Sequence, residues 1–189
     1  MLKKYLSPLV LIVIVFALAT TLHSCSKLAS ALSYSIPLQS GSITIVIPPT
    51  SDTSSEISSA TVTNSINIDS IIKANTGGVL STSNITSAKV SSCSLSITSG
   101  ADSDNNFANF ESISSSFSST SNTTAYTISM SNPDSYNTSL SIPVDTTTNI
   151  ASYISGTSFS YSVSGKLRRA TTDTIKCTVQ FAFVIKVNG

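Results

Sequence analysis

The sequence predicts an all-β protein: a two-sheet β-sandwich of about eight strands, with two or three short helical turns at the crossings. Three observations carry that expectation. First, Ser and Thr make up about a third of the chain, far above ordinary usage, and the serines alternate with aliphatic and aromatic residues. This is the period of a strand with one polar face, and disordered tracts lack such apolar partners. Second, "TIKCTVQFAFVIKV" sets Ile175, Cys177, Val179, Phe181, Phe183, Ile185 and Val187 on one face, which marks the C-terminal strand as the spine of the core. Third, clusters of Gly, Pro, Asn and Asp separate the alternating runs. An immunoglobulin-like or a jelly-roll topology fits this pattern, and the alternation leaves strand order open.

The elements follow in chain order. "SKLASALSYSIPLQSG", from Ser26, is expected to be a tether, so the sandwich domain is placed at 42–189. "SITIVIPP" puts Ile43, Ile45 and Ile47 on one face, and Pro48–Pro49 ends the strand. "TSDTSSEISS" reads as a polar loop, and "ATVTNSINID" as a strand with Ala60, Val62, Ile66 and Ile68 in phase. "DSIIKANTGG" predicts one or two helical turns, capped by Asp69 and stopped at Gly77 or Gly78. In "NITSAKVSSCSLSITSG", Cys93, Leu95 and Ile97 share a phase that Val90 breaks, which predicts a bulge near Ser91–Ser92.

"ADSDNNFANFESI" has Phe107, Phe110 and Ile113 at helical spacing, so a short helix is expected there. "SISSSFSS" and "TAYTISMSN" follow as strands, the latter aligning Tyr126, Ile128 and Met130. "SLSIPV" aligns Leu140, Ile142 and Val144, and "DTTTNIASYISG" predicts another short helix with Asp145 as its cap. "SFSYSVSGKL" aligns Phe159, Tyr161 and Val163.

The N-terminus supplies an address. Lys3 and Lys4 precede an apolar run, "PLVLIVIVFALATTL", of about 15 residues, short of the roughly 20 that a membrane-spanning helix wants. The run closes on Leu22, His23, Ser24 and Cys25. "LHSC" resembles the lipobox of bacterial lipoproteins, with an aliphatic residue at −3 and a small residue at −1. His23 at −2 departs from that pattern. The resemblance implies a signal peptide at 1–24, lipidation (diacylglycerol, with palmitate-type chains) at Cys25, and a lipidated tether over 25–41. Two or three acyl chains anchor firmly, since each buried CH₂ contributes about 0.8 kcal/mol. Ser26, where an Asp would favour retention at the inner membrane, points to the outer membrane. The body, with "FANFESI" and "GKLRRATTDTIKC", has the flavour of uncharacterised Bacteroidota lipoproteins and resembles no family of known activity.

Composition limits the chemistry. With 10 Lys and Arg against 9 Asp and Glu there is no basic stripe for nucleic acid. The only histidine, His23, leaves with the signal, which excludes Ser-His and Cys-His pairs and histidine zinc sites. "SIIK" (Ser70 to Lys73) matches the Ser-x-x-Lys of penicillin-recognising enzymes, but the companion Ser-Asp-Asn and Lys-Thr-Gly elements are absent. No catalytic residue and no cofactor is expected. A weak metal candidate is Asp102, Asp104 and Asn106, at the 1, 3, 5 spacing of a calcium loop. Phe107 and Ile113 stand where such a loop needs its glycine and its bidentate glutamate. "GKLRRA" groups Lys166, Arg168 and Arg169 at an expected hairpin tip, with docking of an anionic lipid or glycan as its functional alternative.

The expected function is therefore a non-catalytic accessory, scaffold or adhesion module, anchored in the cell envelope through Cys25, with a protein partner or a glycan. One alternative is a glycan-binding module. It is weakened by the absence of Trp and leaves only Tyr136, in "SNPDSYNTS", free to stack on a sugar. Another is an uncleaved signal-anchor with a periplasmic β domain. Cys93 and Cys177 both point to the core in phase, and in an oxidising compartment they are the candidates for a disulfide.

Overall fold

The computed structural model describes residues 32–189; the expected signal segment and Cys25 lie outside them. Ten strands form two antiparallel sheets. Strands β1 (Ser33–Gln39) and β2 (Ile43–Ile47) lie end to end along one side of β10 (Ile175–Asn188). Strand β5 (Ile85–Ser99) covers the other side of β10, and β8 (Ser139–Ile142) flanks β5.

The second sheet repeats the plan. Strands β3 (Glu56–Ser58) and β4 (Val62–Ser65) share one side of β9 (Ser158–Leu167). Strand β6 (Phe110–Ser119) takes the other side and β7 (Tyr126–Ser131) forms the edge. Counting β1/β2 and β3/β4 as one strand each gives the orders 1-8-3-6 and 2-7-4-5. This is the eight-stranded, two-sheet jelly roll. An immunoglobulin-like sandwich groups its strands as ABED and CFG, so the register decides between the two expected topologies.

The alternation predicted for β10 holds: all seven residues from Ile175 to Val187 in phase are buried. The bulge also holds. Ala182 pairs with Ser92 and Phe183 with Val90, so Ser91 is the extra residue, and Val90 and Cys93 both face the core. Phe117 of β6 joins the two sheets. Its ring centroid lies 5.1 Å from that of Phe181 and 5.4 Å from that of Phe183, and it also packs on Tyr126, Tyr153 and Tyr161.

Several expectations change. Ser33–Gln39, placed in the tether, is strand β1, so the domain begins before residue 42. Ile36 and Leu38 are buried against β10, and Pro37 between them is tolerated because β1 is an edge strand. The polar loop around residue 56 contains β3, whose three residues are too few to show a period. The helix expected at Phe107–Ile113 is a single 3₁₀ turn, Phe107–Asn109, that leads straight into β6. Helical spacing misled because a bulge between Phe110 and Ser112 lets Phe110 and Ile113, three apart, both turn inward.

Helix α1 (Ile68–Asn75) is capped by Asn67, whose Oδ1 accepts from Ser70 N, and Asp69 sits in its first turn. Asp145 closes a turn with Thr147 and Thr148, ahead of the short helix α2 (Ala151–Ile154). At Gly165 the sheet requires glycine: an added Cβ would lie 2.6 Å from the Ser112 carbonyl oxygen.

The candidate disulfide does not form. Cys177 pairs with Ile97 and Cys93 with Phe181, which sets the thiols four ladder positions, about 13 Å, apart. A bridge needs Cα atoms within about 7 Å. Both are free and fully buried. Burial pushes the Cys93 thiol up to about 12 and the Cys177 thiol up to about 11.

Two outcomes follow. Phe117→Ala removes the ring shared by both sheets and should cost about 3–5 kcal/mol, read as a lower denaturation midpoint. Because both thiol pKa values are raised, their contribution to stability is full below the unfolded cysteine pKa of about 8.5 and is lost as pH rises towards the folded values. Melting temperature should therefore fall above about pH 8.5, less so in Cys93→Ala/Cys177→Ala, and the unfolded chain should take an alkyl group at both cysteines without reductant.

Candidate functional site

The strand directions sort every connection to one end of the sandwich or the other. The chain arrives at one end, where Ser33 pairs with Asn188 and Gly189 N donates to the Leu32 carbonyl at 3.1 Å. Helices α1 and α2 belong to connections on that side. The opposite end carries the loops 48–55, 100–109, 132–138 and 168–174. Strand β10 runs 14 residues between the two ends, about 45 Å at 3.3 Å per residue.

Buried asparagines knit the loops of the far end. The Asn105 Oδ1 accepts from Thr172 N at 2.8 Å and Asp173 N at 3.1 Å, and its Nδ2 donates to Asp102 and to Thr172 Oγ1. The Asn109 Nδ2 donates to the carbonyls of Asp104 at 2.7 Å and Ala170 at 2.8 Å. The Asn132 Nδ2 donates to the Phe107 carbonyl at 2.6 Å. A planar amide carries two donors and an acceptor, so each one ties together backbone segments from two or three stretches of chain.

The cation cluster sits in this network. The Arg168 guanidinium donates to the carbonyls of Ala108 (2.9 Å), Phe110 (3.2 Å) and Asn132 (2.9 Å), which makes it a structural clamp. Arg169 grips both oxygens of Asp134 and also donates to the Ala108 carbonyl at 3.1 Å. Lys166 pairs with Glu111 at 3.1 Å. The three cations are thus committed to partners, and the expected hairpin tip is instead a crossing between the two sheets, since β9 and β10 belong to different ones.

Three stretches singled out in the sequence meet here: the "DSDNNF" loop, the tyrosine of "SNPDSYNTS" and the arginines of "GKLRRA". Between them lies a polar cleft of about 440 Å³, lined by Asp104, Asn106, Asn109, Asp134, Tyr136 and Arg169 among others. Tyr136 is 64% exposed. A separate, more apolar cavity of about 360 Å³ opens beside the end of β2, against Ile47, Pro48, Ile57, Phe110 and Val163.

Two of the three metal candidates already use a side-chain oxygen within their own loop. The Asp102 Oδ1 accepts from Asp104 N (2.8 Å) and Asn105 N (2.7 Å), and the Asn106 Oδ1 accepts from Ala108 N (2.9 Å). Those oxygens close their own turns, the ordinary use of Asp and Asn in loops. Ser70 and Lys73 lie on α1 among the chain-entrance connections, and Lys73 pairs with Asp69 at 2.6 Å.

No family model matches the chain, and no curated protein matches it. Among solved structures, infectious bursal disease virus (Gx strain) aligns at 10% identity and a TM-score of 0.40, over 85% of this chain. This chain spans 33% of that one, a third of its length. Desmodium yellow mottle tymovirus aligns at 14% identity and a TM-score of 0.29, over 84% of this chain and 89% of the other. The Triatoma virus empty capsid aligns at 12% identity and a TM-score of 0.34, over 81% and 89%. Likenesses this remote carry no argument about activity, and the jelly-roll assignment stands on the strand register.

The sequence did not reveal Asn105, Asn109, Asn132 or Arg168 as the framework of this end. The signal available was "NNFANF", where asparagines interrupt buried phenylalanines, because a polar side chain is buried only when it is bonded.

The Arg169 guanidinium holds the Asp134 carboxyl below the usual carboxylate range. A depressed folded pKa contributes stability above the unfolded value of about 3.9, and that stability is lost as pH falls through the folded value. The melting temperature of Asp134→Asn should lie below that of the wild type at neutral pH, and the gap should close below about pH 4 and narrow in high salt.

Proposed function

We propose that this chain is a membrane-anchored cell-envelope lipoprotein, held by lipid on Cys25, that acts as a non-catalytic accessory, scaffold or adhesion module through its far-end loops. The observation that carries the reading is the opposition of the two ends. The chain emerges at Leu32 beside the C-terminus, whereas the polar cleft and its loops lie at the other end of β10. Between Cys25 and Leu32 an extended chain reaches at most about 25 Å. A lipid at Cys25 would keep the chain-entrance end within that reach of the bilayer, and the cleft lies at the other end. Among the described residues no helix is long and apolar enough to cross a membrane. The outer membrane is the preferred destination, on the strength of Ser26.

Surface action rather than turnover is favoured by how the polar groups are used. Lys73 pairs with Asp69, and Asp134 is gripped by Arg169. The two buried thiols are held protonated.

Fractionation tests the placement. The wild-type protein should co-sediment with outer membranes, carry acyl chains and begin at Cys25. Cys25→Ala should leave the membrane fraction. A Cys25→Ala protein that stays membrane-bound with Met1 intact would establish the signal-anchor alternative instead.

A further inference from the structure

The far-end cleft combines features that flat protein contacts do not require. It is concave, its volume of about 440 Å³ lies in the range of small-ligand pockets (about 300–1,000 Å³), and its floor is rigid. The rigidity comes from Asn106 and Asn109, 2% and 3% exposed, whose amides are bonded to the loop backbone. At its margin stands Tyr136, the one large aromatic side chain among the exposed large hydrophobic residues described. A ring held at the rim of a polar cleft offers a flat apolar face to a partner that is itself polar at its edges.

Charge narrows the partner further. Arg169 is neutralised by Asp134, so no uncommitted cation faces the cleft to select an anion. Of its five N–H donors three are used, which leaves two on a side chain already fixed in place. Asp104 lines the cleft, and its backbone, not its side chain, carries the loop's internal bonds. A carboxylate with two open oxygens accepts from two adjacent hydroxyl groups. Planar polar side chains that need no reordering, set beside an aromatic face, recognise a polyol ring at small entropic cost.

We propose that this cleft binds a neutral oligosaccharide, with a sugar ring stacked on Tyr136 and its hydroxyls held by Asp104 and Arg169. The inference rests on the reading of the domain as a binding module that works through its far-end loops, and it supplies the ligand class.

The test uses the full-length protein purified in a sugar-free detergent. Saturation-transfer NMR and titration calorimetry are run with malto-, cello-, manno- and xylo-trisaccharides, and with oligogalacturonate as the anionic comparator. At least one neutral trisaccharide should bind at about 1 mM or below. Tyr136→Ala should weaken that binding about tenfold, equivalent to about 1.4 kcal/mol, while Tyr136→Phe retains it. Asp104→Asn should weaken it too. Melting temperatures of all three variants should match the wild type, because Tyr136 and Asp104 are exposed. The proposal is overturned if no neutral saccharide binds, if oligogalacturonate binds in preference, or if binding survives both Tyr136→Ala and Asp104→Asn. Membrane placement is read separately by fractionation, so a failed ligand class leaves the anchor standing, and a failed anchor leaves the ligand class standing.

Discussion

Both the sheets and the ends of this molecule depend on strand β10. It is flanked along most of its length, by β1 and β2 on one side and β5 on the other, and its seven inward residues run the length of the core. Because it is interior to its sheet, its backbone groups are paired on both sides, and an unpaired buried amide would be costly. Because β1 and β2 both pair with it, the first and last described strands lie side by side. The long-range pairing that results is slow to form by nature, since distant segments must meet before any contact compensates for chain ordering. Phe181 and Phe183 of β10 then meet Phe117 from the facing sheet, so one strand supplies both the ladder and the contact across the sandwich.

A chain this rich in serine can be ordered because its hydroxyls are confined to the outer faces and to local bonds. On the second sheet the outward positions of β6 and β9 are almost all serine, and neighbours bond across strands, as Ser116 does with Ser162 at 2.8 Å and Thr63 with Ser160 at 3.2 Å. Such pairs are individually weak. Their importance is that they cover the sheet with short side chains that lose little conformational entropy on ordering. Lys73, Lys166, Arg168 and Arg169 are held in ion pairs, and Asp52, Asp102 and Asp145 in turns.

The loop end is organised by a different interaction. Four loops of irregular backbone carry many donors and acceptors with no ladder to receive them, and Asn105, Asn106, Asn109, Asn132 and Arg168 meet that need from within. Each is partly or wholly buried, so each bond is made in a medium where leaving it unmade is expensive. A fixed cleft follows, in which few polar groups remain free. Asp104, Arg169 and Tyr136 are among them, and these are what a partner would meet.

The sequence by itself determined the fold class, most strand positions and which face of each strand is buried. Alternation is a local property: the period from Ile175 to Val187 fixes an inward face whatever the partners are, and the break in phase at Val90 announces its own bulge. It could not show β3, which is too short to have a period, and it hid β1 behind a proline that only an edge position permits. Its helical spacing at Phe107, Phe110 and Ile113 was an accident of a bulge. What tertiary structure alone decided was register and company. Cys93 and Cys177 share a face and a sheet but stand four positions apart, a distance that no local pattern encodes. The cleft likewise joins residues near 104, 136 and 169, which are distant in sequence and meet only because jelly-roll winding returns alternate connections to the same end.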